Sequence, residues 1–145
     1  MNPNTLYKGV DNMNWSILIA ALISVESGGN DMAVGDNGMA RGALQIHLGV
    51  VTDVNKLLSG GIPEQHFSHE DMHDGEKAAL VCKIYLEHYG RKYASKTRKV
   101  AGYEELARIW NGGYHGTLYN SGATDGYWEK VKNELRALGV SEDEL

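Results

Sequence analysis

The sequence predicts a mainly α-helical domain with a small β element, an α+β arrangement, on three observations. Apolar residues recur at helical spacing along most of the chain, and glycine pairs punctuate those stretches. The main departure from this pattern is a glycine-rich segment, Gly35 to Gly42, running into Ala43-Leu44-Gln45-Ile46. Finally, 145 residues with 42% hydrophobic content can bury a core without metal or disulfide staples. Residues 1–145 are therefore read as one domain.

The first helix is predicted from about Asn14 to Glu26, capped by Asp11, Asn12 or Asn14 and ended by Gly28-Gly29. Trp15, Leu18, Ile19, Leu22 and Ile23 form its apolar stripe. The glycine-rich segment reads as a turn or short hairpin beside that helix, with Ala43 to Ile46 as strand. Val50, Val54, Leu57 and Leu58 predict a short helix closed by Gly60-Gly61, with Pro63 beyond. A polar connection follows to about Gly75. The longest helix, and the central one, is expected from Asp74 to Tyr89, with Leu80, Val81, Ile84, Tyr85 and His88 on one side and Gly90 as its stop. A further helix, Tyr103 to Trp110, buries Leu106, Ile109 and Trp110. The last starts at Thr124 or Asp125 and shows Trp128, Val131, Leu135 and Leu138 before Gly139. The tail, about 140–145, is expected to fray, and the likeness of Glu142-Asp143-Glu144-Leu145 to a retention signal is read as chance.

Composition narrows the function classes. Net charge is −5, and the only basic run is Lys96-Thr97-Arg98-Lys99, so nucleic acid is not an expected partner. No apolar run reaches the length of a membrane span. Met1-Asn2-Pro3-Asn4-Thr5 lacks the basic start and apolar stretch of a secretory signal, so export is expected to use another route. The single cysteine, Cys82, sits in a helical pattern with Leu80, Val81 and Ile84 and reads as a core thiol.

Glu26 is the most informative residue. It continues the apolar stripe of the first helix and is followed at once by Ser27-Gly28-Gly29. Partial burial and the negative end of the helix dipole both favour the protonated carboxyl, the state a general acid requires. The alternative is a carboxylate bonded to an amide or arginine at a helix end. Asp36, ten residues on, lies in the glycine-rich segment and is expected to be solvated and ionised. A protonated Glu opposite an ionised Asp is a glycosidase pair, although an Asp before Asn37-Gly38 is also an ordinary turn residue. Gly38 and Gly42 permit close approach of backbone to a ligand, and Gln45 offers donor and acceptor to sugar hydroxyl and acetamide groups. Trp110-Asn111-Gly112-Gly113-Tyr114-His115-Gly116 places an aromatic ring and an amide at a helix end, the equipment of a saccharide groove, unless Trp110 is core.

Taken in order, Glu26-Ser27-Gly28-Gly29, Asp36-Asn37-Gly38, Gly42-Ala43-Leu44-Gln45-Ile46, Ala107-Arg108-Ile109-Trp110-Asn111-Gly112-Gly113 with Gly116, and Thr124-Asp125-Gly126-Tyr127-Trp128-Glu129-Lys130-Val131 resemble the motifs of invertebrate-type (destabilase-like) lysozymes. The same opening, with its glycine turn ending in Gln and its later Asn-Gly, is similar to goose-type lysozymes and soluble lytic transglycosylases. The resemblance implies a lysozyme-like fold and cleavage of the peptidoglycan β-1,4 bond between N-acetylmuramic acid and N-acetylglucosamine. It makes Glu26 the general acid and Asp36 the second carboxylate. It matches Gln45, Asn111 and Gly112 to residues lining the sugar groove, and with Ser27, Gly42, Trp110 and Tyr114 these form the expected substrate-binding set. The implied partners are peptidoglycan strands, with chitooligosaccharides as a second substrate. No cofactor is implied and a monomer is expected. Two departures stand out: those invertebrate enzymes are rich in disulfides, and they often carry His at the place of Trp110. A bridge-free relative fits a protein made in the cytoplasm that acts on the cell wall, such as a phage lysin or virion component.

Two other readings compete. His66, His69 and His73 with Glu70, Asp71 and Asp74 have metal-ligand spacing if helical, yet such residues before a helix more often cap it, as Ser68 with Asp71 or Asp74 can. The other is a saccharide-binding relative without the chemistry.

Overall fold

The computed structural model describes residues 3–62 and 64–145. Pro63, expected after the second helix, lies outside the described residues, as do the first two positions of the N-terminal segment. The protein is mainly helical, with one two-stranded antiparallel sheet: α1 (Pro3–Leu6), α2 (Lys8–Asp11), α3 (Trp15–Ser27), β1 (Val34–Gly35), β2 (Ala40–Arg41), α4 (Leu48–Leu58), α5 (Gly75–Thr97), α6 (Tyr103–Tyr119) and α7 (Asp125–Ala137). Single 3₁₀ turns occupy Asp36–Gly38, Glu70–His73, Ser121–Thr124 and Glu142–Glu144. Among the described residues no helix is long and apolar enough to cross a membrane. The chain divides into two compact units, one of residues 1–21 with 86–145 and one of residues 22–85.

Among its described residues, the first unit is built from helices and the turns that join them. Two short helices not anticipated from the sequence open it, burying Leu6 and Val10, and Arg91 on α5 holds Asp11 at 2.7 Å. Asn14 caps α3 by accepting the Ile17 N–H at 3.3 Å. Helix α5 does not stop at Gly90 but continues to Thr97, ending where Arg98 takes φ +60°. Gly90 is there for packing: a Cβ at that position would stand 2.8 Å from both Leu106 Cδ2 and Val10 Cγ2. Likewise α6 continues past Trp110 to Tyr119, with a break at Gly113 (φ 81°, ψ 168°), whose carbonyl accepts the Thr117 hydroxyl at 2.8 Å. Asn111 and Gly112 therefore belong to a helix, not to a loop. Helix α7 buries Trp128, Val131 and Leu135, but Leu138 is exposed. The tail is pinned, not frayed: Arg136 donates Nε and Nη2 to the two carboxylate oxygens of Glu142.

The second unit contains the last turns of α3, the hairpin, α4 and the start of α5. Val34 pairs with Arg41 and Gly35 with Ala40. Ala43 to Gln45 form a turn, not the expected strand: the Arg41 and Ile46 amides each donate to the other's carbonyl, at 3.1 and 2.9 Å, and close the chain back on itself. Leu22, Leu44, Ile46, Val51, Val54, Met72, Val81 and Cys82 are its buried centre. Leu80 and His88 point to solvent, so the apolar face of α5 runs instead through Ala78, Val81, Cys82 and Leu86. Ser68 and Asp71 cap each other's backbone amides at 2.9 and 3.1 Å, and the backbone hydrogen bond from Ser68 is the main reason the Asp71 carboxyl lies below the usual carboxylate value.

Candidate active site

Glu26 lies half-buried on the last turn of α3, within the second unit. Its carboxylate acts electrostatically on Cys82 of α5: burial pushes that thiol well above its ordinary range, and the charge of Glu26 adds to the effect. Cys82 is fully buried and unbridged, as a core thiol should be.

The residue after Glu26 fixes it in place. The Ser27 hydroxyl donates to the Ala43 carbonyl at 2.7 Å and accepts the N–H groups of Gly29 and Asn30 at 3.2 and 3.0 Å. One side chain thus ends the helix, shapes the Gly28-Gly29 exit and ties both to the 42–45 turn. Ser27 serves this clamp rather than offering a free hydroxyl to a ligand. Gly42 is as constrained: its φ is +82°, and a Cβ there would run into the Met72 carbonyl.

Gln45 stands on the turn with φ +51°, a backbone state uncommon for Gln. Its side-chain amide donates to the Gly42 carbonyl at 3.0 Å, and its Oε1 lies where a side chain on Gly35 would stand. The amide therefore braces turn against hairpin. Asp36 occupies the 3₁₀ turn between β1 and β2, with Asp36, Asn37 and Gly38 at φ +49°, +58° and +91°. Its Oδ2 lies 2.8 Å from His47 Nε2, and 69% of its side chain remains exposed. Arg41 binds the Gly38 carbonyl at 3.3 Å and Glu70 at 3.2 Å, holding the same hairpin from its other strand.

The structure thus joins Ser27, Gly42 and Gln45 through the 42–45 turn, and Asp36 with His47. The other expected residues lie in the first unit. There, Trp110 is half-buried, Asn111 and Gly112 are exposed, and Tyr114 is 7% exposed, its ring 5.8 Å from that of Tyr89 and under Lys92 Nζ at 4.7 Å. Sequence reasoning missed His47 and Arg108. The first is a lone histidine ahead of a helix, with no spacing to link it to Asp36. Arg108 is inside a quoted motif, and its Nη1 meets Thr124 Oγ1 and Asp125 Oδ1 at 3.0 and 2.8 Å, joining the two C-terminal motifs.

The three histidines of the metal reading are dispersed. His66 pairs with Ser59, His69 Nε2 with the Ile46 carbonyl at 2.7 Å, and His73 with the Asp31 carbonyl at 2.9 Å. Among the described residues no group of three or more His, Cys, Asp or Glu is placed to hold a metal ion. No family model matches this chain, and neither a curated protein nor a solved structure matches it.

Proposed function

We propose that this protein is a peptidoglycan-cleaving muramidase that hydrolyses the β-1,4 bond between N-acetylmuramic acid and N-acetylglucosamine. The observation that carries the reading is the setting of Glu26, a half-buried residue at a helix end whose neighbour Ser27 makes three hydrogen bonds, one to the Ala43 carbonyl of the 42–45 turn and two from the Gly29 and Asn30 amides of the helix exit. A catalytic acid must be held rigidly, and the hydrogen bonds of Ser27 fix the backbone that carries Glu26. Within the same unit Asp36 provides an exposed carboxylate on the hairpin. The contrast between a sheltered and a solvated carboxyl is that of glycosidase acid and partner.

In this mechanism Glu26 gives its proton to the glycosidic oxygen as the bond to the muramic acid C1 breaks, the electron pair leaving with the oxygen. Asp36 stabilises or captures the oxocarbenium-like C1, or orients the water that adds there. Ser27 and Gln45 act as positioning residues. The roles of Trp110, Asn111 and Gly112 in sugar binding rest on motif order alone. A second reading, a lytic transglycosylase in which the sugar's own hydroxyl attacks C1, is favoured by the engagement of Asp36 with His47 at 2.8 Å.

The test is mass spectrometry of fragments released from purified peptidoglycan. Hydrolysis yields reducing muropeptides that have gained water, and transglycosylation yields 1,6-anhydro products. Glu26→Gln should lower either activity by at least about 10²-fold while leaving the fold intact. If Glu26→Gln cuts as fast as wild type, the assignment is wrong.

A further inference from the structure

A cavity of about 310 Å³ opens in the second unit along one face of α4, lined by Leu48, Val51, Asn55 and Lys56 and closed by Phe67 and His69. Both walls are fixed. Asn55 donates to the Phe67 carbonyl at 2.8 Å and accepts the His66 and Phe67 amides at 3.1 and 2.9 Å, so one side chain lashes the facing segment to the helix. His69 is tied to the Ile46 carbonyl at 2.7 Å. Such a pocket is pre-organised and at the small end of ligand cavities.

The lining and its charges narrow the chemistry of an occupant. The pocket begins at Leu48, 57% exposed and one residue after His47, the partner of Asp36. Its floor is aliphatic and aromatic, while exposed Lys56 and Glu64 put one charge of each sign on its rim. Lys56 is one of four Lys and Arg side chains in residues 22–85. A short peptide with small apolar side chains, a free carboxylate and a free amine complements that lining. Peptidoglycan carries such a peptide on every intact muramic acid. We propose that this pocket seats the peptide stem of the wall strand, making the enzyme selective for stem-bearing glycan. The proposal rests on the muramidase reading for its substrate and on the pocket itself for its chemistry.

The experiment titrates the ¹⁵N-labelled 145-residue chain carrying Glu26→Gln with the synthetic stem peptide L-Ala-γ-D-Glu-L-Lys-D-Ala, free of sugar. Saturable shifts are expected at the amides of Val51, Asn55, Lys56 and Phe67, and Lys56→Glu should weaken binding by about tenfold, with Lys56→Gln intermediate. With active enzyme, the ratio of kcat/KM for stem-bearing over amidase-stripped strands should fall by about the same factor in Lys56→Glu. No saturable shift, equal shifts with peptide-free chitotetraose, or shifts that follow protein concentration and mark an interface between copies would each overturn the proposal. If the active chain cuts neither kind of strand, the muramidase reading falls, and the peptide titration still decides the pocket.

Discussion

Asp36 is held in left-handed backbone, with Asn37 and Gly38 continuing it at φ +58° and +91°. Asp and Asn tolerate that region better than other side chains, at a cost of about 1 kcal/mol. The sequence alone could not separate turn former from catalyst here, because one residue can satisfy both roles. Asp36→Asn separates them: Asn keeps the backbone preference and the size, and removes only the charge. If the carboxylate stabilises the reacting C1, kcat on peptidoglycan should drop about 10²-fold with KM little changed. Near-normal turnover would return Asp36 to its turn and move the reading to the transglycosylase. His47→Gln serves as the companion variant. It removes the ring 2.8 Å from Asp36 without touching the carboxylate, so a smaller loss in kcat, about tenfold, marks His47 as a positioning residue.

Among the elements, the 42–45 turn decides whether the link from Ser27 to the hairpin survives. Gly42→Ala meets two penalties at once, a left-handed backbone and a Cβ driven into the Met72 carbonyl, and should cost about 3 kcal/mol in urea unfolding. Gly38→Ala is the control, since its φ is also positive but nothing stands within 4 Å of the added carbon, and it should cost about 1 kcal/mol. Equal losses at both would mean that the turn packs less tightly than its geometry implies. Helix existence was legible throughout α3 to α7, because each has periodic apolar residues. Helix ends were legible only where glycine has a backbone role. Gly60 and Gly61 do terminate α4, at φ +62° and +93°, whereas Gly90 is a contact point inside α5 and Gly113 a break inside α6. Nothing in sequence distinguishes a glycine needed for its φ from one needed for its missing Cβ. The site was legible to the same degree. Glu26 and Asp36 could be singled out, but of the residues read as ligand contacts, Ser27 bonds the Ala43 carbonyl and the helix exit, and Gln45 gives its side-chain N–H to the Gly42 carbonyl. The pairing of Asp36 with His47 is a tertiary contact that no local pattern announces.

Across the whole chain, charge is divided unevenly. Residues 22–85 carry nine Asp and Glu against four Lys and Arg, while the remainder carries ten of each, so the full net charge of −5 belongs to the unit holding Glu26 and Asp36. Bacterial walls are anionic, so under the proposed muramidase reading the acidic 22–85 unit is repelled at long range by the substrate it would cut. The repulsion is screened by salt, with a Debye length of about 30 Å at 0.01 M and about 8 Å at 0.15 M. Lysis of intact, teichoic acid-bearing walls should therefore rise by about threefold between those ionic strengths. Cleavage of soluble, uncharged chitooligosaccharides supplies the reference, because it lacks the long-range term and should stay flat over the same range. A basic surface would give the opposite sign, attraction that weakens as salt is added. Turbidity loss followed over a salt series, with soluble-substrate turnover alongside, distinguishes the two: a rise on walls alone places the barrier in approach to the substrate, and a fall on walls would show that cations elsewhere in the chain govern docking despite the acidic 22–85 unit.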